Sequence, residues 1–270
     1  MDQNMFCFQC EQTAGCTGCT GKAGVCGKTA NAAKLQDELT GALIGLARAT
    51  DIGPDVNEGT WRLMIEGLFT TVTNVNFNET TIREMIARVH AEKARLVPDC
   101  AACTSACGRT GDYDLAQLWG AQEDIRSLKS LILFGVRGMA AYAHHAMVLG
   151  YTDETVNRFF AKALFAVGED WGMDELLPIV MEVGEKNLKC MALLDKANTE
   201  TYGAPAPVTV HCAVGVRCPP YSSGKRNCRS AEQKCEQVMA HTVSAYPPSI
   251  VIAASDRLSA IVEHAPYTPK

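Results

Sequence analysis

The chain has 270 residues, 47% hydrophobic and 20% charged, with a formal net charge of −5. That length suffices for one large domain or two modest ones, each with a core of its own. A mildly acidic balance gives no electrostatic reason to seek nucleic acid or anionic lipid, so neither is expected as a partner. Met1 to Met5 carries no basic or apolar export signal. The most apolar stretch, Leu131 to Gly150, contains Arg137, His144 and His145 and reads as a buried helix rather than a membrane span.

The outlier is cysteine: thirteen, an odd number, in a chain read as cytoplasmic. Thiols kept reduced are available as ligands for a metal or cluster. Five lie between 7 and 26, three between 100 and 107, and singles follow at 190, 212, 218, 228 and 235.

Residues 1–30 form a loop rich in Cys, Gly and Thr, with no apolar period, which something other than a hydrophobic core must hold in shape. Helical periodicity then takes over. Leu35, Leu39, Ala42 and Leu46 share one face. Trp61, Ile65, Leu68, Val72 and Val75 form a second stripe. Ile82, Ile86 and Val89 form a third, with Thr81 and Glu84 as a capping box. Ile125, Leu128, Ile132 and Met139 begin a long fourth helix running to about Leu149. Val156, Phe159, Phe160, Ala163 and Val167 mark a fifth, and a sixth runs from near Pro178 to about Asn198. Residues 31–205 are therefore expected to be an α-helical bundle, and the fold class mainly α. After Gly203 the character changes: eight of the eleven prolines lie from Pro205 onward. Residues 206–270 read as an irregular tail, with Ile250 to Ala254 its one apolar run.

The first motif is Cys7-x2-Cys10-x8-Cys19-x6-Cys26, with an extra Cys16. Iron in a cluster is soft enough to prefer thiolate, and four ligands close the shell. Glycines at 15, 18, 21, 24 and 27 let the backbone wrap a compact group. Cys7-x2-Cys10 and Cys16-x2-Cys19 equally suit a four-cysteine zinc site, so spacing alone leaves iron–sulfur and zinc open. Cys100-x2-Cys103-x3-Cys107 supplies only three thiolates and reads as free thiols in a loop between helices, a second metal site being the alternative. His144 and His145 point about 100° apart on a helix and cannot share a ligand face; one is expected buried and hydrogen-bonded, the other solvated. Lys129 and Arg137 are expected on a solvated face or opposite carboxylates.

Met5-Phe6-Cys7-Phe8-Gln9-Cys10-Glu11-Gln12-Thr13, with Thr17-Gly18-Cys19-Thr20 and Gly24-Val25-Cys26-Gly27-Lys28, closely resembles the opening of the hybrid cluster proteins, or hydroxylamine reductases, of the prismane family. Asp124 to Leu128 and Gly138 to Ala143 resemble that family's long central helix, and Met191 to Thr199 its exit from the helical domain. The resemblance spans about residues 5–208. It implies an iron–sulfur cluster on Cys7, Cys10, Cys19 and Cys26, with Cys16 not a ligand. In the family, a middle gap of this length goes with a shorter last gap and a four-iron cubane. A longer middle gap goes with a last gap of this length and a two-iron cluster. With eight and six residues this chain mixes the two; [4Fe-4S] is favoured and [2Fe-2S] is the alternative.

The resemblance further implies an oxidoreductase that takes electrons from a reductase or small redox protein. It would reduce hydroxylamine to ammonia and water, or nitric oxide under nitrosative stress. That chemistry belongs to a hybrid iron–sulfur–oxygen cluster on two further domains, whose ligands are not found in this chain. Where the family places a His after Ser-Gly, this chain has Ser223-Gly224-Lys225, and an ammonium has no lone pair to offer. Turnover by this chain alone is therefore not expected, and residues 206–270 are read as a truncated, frameshifted or fused remnant. The rival readings are a zinc-stabilised helical binding module without redox function and, behind it, a carbon monoxide dehydrogenase relative.

Overall fold

The computed structural model describes residues 5–10, 18–72, 75–98 and 110–204. The chain divides between Ala197 and Asn198 into two units, and of the second only residues 198–204 are described. Cys16, the group Cys100, Cys103 and Cys107, and the tail 206–270 lie outside the described residues.

Among the described residues there are seven helices and no strand, so the fold is mainly α as expected. Helix α1 (Ala30–Ile52) starts at Thr29, whose hydroxyl accepts from the Ala32 amide at 3.1 Å. Leu35, Leu39, Ala42 and Leu46 are buried as the stripe required, but so are Gln36, Thr40, Ala47 and Ala49. A helix buried on nearly every side sits at the middle of a bundle. It touches α2 (Glu58–Thr70), α3 (Glu79–Leu96), α4 (Leu115–Gly120) and α6 (Glu154–Gly168). Helix α5 (Glu123–Val148) packs on α2, α4 and α6. The last helix, α7 (Met173–Tyr202), adds Leu176, Ile179, Val183 and Cys190 to the same core.

Several helix ends differ from the expectation. Helix α2 stops at Thr70, leaving Val72 and Val75 beyond it, because the Thr71 amide and hydroxyl both turn back onto Leu68 O and close the last turn. The cap of α3 is Asn78, not Thr81: its side chain accepts from the Thr80 and Thr81 amides at 3.0 and 3.3 Å. The capping box instead opens α2, between Asn57 and Thr60. Helix α7 begins before Pro178. The proline removes one donor in the second turn of the helix, close to its start and among mostly exposed residues.

Lys129 and Arg137 are both buried, so of the two settings expected for them the solvated face does not hold; carboxylates do act on both, Asp170 and Glu169 on Lys129 and Asp37 on Arg137. Lys129 Nζ donates to Glu169 O at 2.6 Å and lies over the Tyr113 ring. His144 and His145 are both half-buried rather than split between core and solvent. Phe69 of α2 contacts both, stacking on His144 at 4.3 Å and meeting His145 edge-on at 5.5 Å. Burial lowers the proton affinity of both imidazoles.

Candidate functional site

The cysteine loop is held by short backbone pairings rather than by a regular element. Cys7 and Cys19 exchange both backbone hydrogen bonds, at 3.0 and 2.9 Å, as an isolated antiparallel bridge. Ala23 and Thr29 form a second bridge, and a tight turn joins Gly24 to Gly27 and Lys28. Gly18 makes the first bridge feasible. Its φ is +61°, and a Cβ there would stand 2.8 Å from Cys7 O. A side chain would therefore push apart the two stretches that bring Cys19 beside Cys7.

Some apolar burial does support the loop: Met5, Cys7 and Ala33 form a small cluster of their own, with Cys19 and Ala30 against it. Phe8 leans on Trp119 at 4.7 Å and on Phe134 at 6.2 Å, and Phe6 meets Trp119 edge-on at 6.0 Å. The loop is thus clamped to α4 and α5 on one side and to the start of α1 on the other. A cleft of about 820 Å³ opens beside it, bordered by Met5, Phe6, Asp37, His90, Tyr113 and Trp119.

Of the four expected ligands, Cys7 is buried, while Cys10, Cys19 and Cys26 are half-buried. All four are free thiols. The structure brings Cys7 and Cys19 side by side, and the Cys26 sulfur lies where a Cβ on Gly24 would come within 3.4 Å of it. Among the described residues, no three Cys, His, Asp or Glu side chains are gathered tightly enough to grip a single metal ion. Burial pushes the Cys7 thiol up from its ordinary pKa, while the Lys28 charge pulls it down.

Beneath the loop runs a polar chain that sequence reasoning missed. Lys28, 1% exposed, donates to Gln9 Oε1 at 2.8 Å and reaches the Cys7 sulfur at 3.8 Å. Gln9 Nε2 donates to Asp37 Oδ1 at 2.7 Å. Burial pushes the Asp37 carboxyl up to about 6, against the Gln9 bond and the Arg137 and Lys28 charges. Arg137, fully enclosed, donates to Thr40 Oγ1 at 3.1 Å, and its Nε has no hydrogen-bond partner among the described residues. Arg137 is expected from sequence on a solvated face or opposite carboxylates, so its place in this buried chain was not foreseen. Nothing marked Gln9 or Asp37, whose contacts span 28 residues.

Comparison with known proteins gives a consistent picture. A family profile described as "Prismane/CO dehydrogenase family" matches residues 5–221. The chain is 39% identical over 236 residues to the hydroxylamine reductase of Methanosarcina mazei, covering 79% of this chain and 42% of that protein. It is 36% identical to the hydroxylamine reductase of Clostridium novyi, covering 93% of this chain and 49% of that protein. It is 39% identical to that of Caldanaerobacter subterraneus, covering 90% and 48%. The chain spans less than half the length of these curated relatives. With a family match over residues 5–221 and a site built on the matched residues, the chain belongs to the prismane/CO dehydrogenase family.

Proposed function

We propose that this chain carries the electron-transfer centre of a hydroxylamine-reductase-type oxidoreductase: an iron–sulfur cluster on Cys7, Cys10, Cys19 and Cys26, with [4Fe-4S] favoured over [2Fe-2S]. The observation that carries this reading is the backbone bridge that sets Cys7 beside Cys19, over a buried cation. The donor set fits the group: four thiols, on a loop folded back through Gly18 and clamped onto the bundle. The relatives' names supply the oxidoreductase class.

A cluster bound there would accept and release single electrons. The chain's own residues do the rest. Cys10, Cys19 and Cys26 are each half-buried rather than enclosed, which leaves room for an electron-donor reductase or small redox protein to approach a cluster held there. Cys7, Met5 and Ala33 shut water out from below. Phe6 and Phe8 fix the loop against α4 and α5, so that the ligands keep their spacing. Hydroxylamine, or another small nitrogen oxide, is the substrate proposed for the whole enzyme, reduced at a hybrid cluster on further domains. No helix among the described residues is long and apolar enough to cross a membrane. The many thiols suit a reducing compartment such as the cytoplasm.

Anaerobic purification tests the assignment. The protein should be brown, with visible absorption that bleaches on reduction. Cys10→Ser should lose most of its iron, since serine is a harder and far less acidic ligand, whereas Cys16→Ser should retain it. A colourless protein with stoichiometric zinc would overturn the reading in favour of a structural zinc module. Equal iron loss in the two variants would overturn the ligand set.

A further inference from the structure

We propose that Lys28 is the buried counter-cation of the cluster and that, through the Cys7 thiolate, it raises the cluster's midpoint potential. The inference rests on the assignment of Cys7 as a ligand.

The geometry is unusual for a lysine. Its side chain is among the most completely buried of the described residues. The ammonium meets an amide oxygen, a sulfur and the face of the Phe77 ring at 5.7 Å. Among the described residues no carboxylate comes within ion-pair distance of it. An unpaired buried cation is costly, and ordinary proteins avoid it. An amide and an aromatic face soften that cost without cancelling the charge. A neutral Cys7 thiol would not cancel it either. A Cys7 thiolate on iron would, at a distance where N–H···S bonding operates.

The wider surroundings point the same way. Among the described residues, the cations Lys28 and Arg137 share this interior with one carboxylate, Asp37, which is bonded to neutral Gln9. The balance among these described groups is short of negative charge. Four thiolates around an iron–sulfur core carry net negative charge in both oxidation states, and reduction by one electron adds another. A fixed cation beside one ligand sulfur favours the more negative, reduced state. Hydrogen bonds to cluster sulfurs and local charge are among the terms that set such potentials. Gln9 has the complementary task of holding the ammonium against Cys7 without adding an opposing charge of its own.

The test is a dithionite titration of the full chain, purified anaerobically, followed by electron paramagnetic resonance with iron content measured alongside. Lys28→Met keeps the length and removes the charge. It should load with iron and shift the oxidised-to-reduced equilibrium about tenfold toward oxidised, equivalent to a midpoint about 59 mV lower for one electron. Lys28→Arg should stay within about twofold of the parent (an 18 mV window on the same scale, ~59 mV per tenfold). A loaded Lys28→Met protein with an unchanged midpoint would overturn the proposal. If Lys28→Met and Lys28→Gln fold by circular dichroism but stay empty, Lys28→Arg decides. Iron in the arginine variant alone supports the counter-cation, and loss in all three shows a packing role only and overturns it. A parent protein without iron would instead refute the cluster assignment, and the inference with it.

Discussion

Gln9 Nε2 donates to Asp37 Oδ1 at 2.7 Å, and this bond ties the cysteine loop to the first third of α1. The same amide accepts from Lys28 through its other end. Donor and acceptor on one short neutral group are what the position needs, and among side chains only an amide offers both in this form. Gln9→Leu preserves the volume and deletes both bonds, leaving an ammonium and a carboxyl each short of a partner. It should destabilise the protein by about 1–3 kcal/mol, the cost of buried polar groups left unsatisfied. Urea unfolding measures this; a midpoint equal to the parent's would show that water replaces the amide freely.

Gly41 lies where the segment before α4 crosses α1. Its carbonyl accepts from the Tyr113 amide at 3.1 Å, and a Cβ would stand 2.2 Å from Tyr113 O. Two effects of Gly41→Ala oppose each other. Helix propensity favours alanine by about 1 kcal/mol. Overpacking against a backbone atom that cannot rotate away costs typically about 1–3 kcal/mol or more. The clash should win, giving a lower Tm and a displaced Tyr113. A raised Tm would mean that the 110–114 segment yields easily.

Cys190 is a thiol of a different kind from those of the loop. It sits on α7 with no exposed surface, and burial pushes it up to about 12. Thiol chemistry runs through the thiolate, so Cys190 should resist iodoacetamide in the native protein at about pH 8 and react once the chain is unfolded in urea. Peptide mass spectrometry reads the difference. Rapid native labelling would show that α7 opens locally.

What the sequence disclosed, and what it withheld, follows from the range of the interactions. Leu35, Leu39, Ala42 and Leu46, and likewise Val156, Phe159, Phe160, Ala163 and Val167, are all buried as their spacing required, because one face of one helix is a local pattern. Helix ends were less legible. Val72 and Val75 extend the α2 stripe on paper, but Thr71 ends the helix first, and Asn78 outcompetes Thr81 as a cap. Helix α4 has six residues, too few for a period to show, yet it supplies the Trp119 that pins Phe6 and Phe8. The cysteine ligands were proposed from spacing and family likeness. Their electrostatic surroundings were not readable, since Arg137 reaches Thr40 across 97 residues and Lys28 reaches Cys7 across 21. No local rule connects such pairs; only the packed bundle brings them together.

The junction of α6 and α7 offers a prediction with a definite pH signature. Asp153 caps α6, accepting from the Val156 amide at 3.1 Å and from the Thr155 hydroxyl at 2.7 Å. Its other oxygen pairs with Lys189 of α7 at 3.0 Å. Burial alone would raise this carboxyl, but the Thr155, Lys189 and Val156 hydrogen bonds outweigh it and bring the pKa down to about 2. A carboxyl depressed in the folded state stabilises the fold above its unfolded pKa. That contribution is then lost as the pH falls from about 4 through about 2. Asp153→Asn keeps a good cap but removes the charge, and should cost about 0.2–1 kcal/mol near neutrality, the range for a partly exposed ion pair. Asp153→Ala loses the cap as well and should cost about 1–2 kcal/mol. The informative quantity is the stability difference between the parent and Asp153→Asn, since all other carboxylates titrate alike in both. It should be constant above about pH 4 and shrink toward zero by about pH 2. A difference that persists unchanged to the acid end would show that the Lys189 pair contributes nothing and that Asp153 acts through its cap alone.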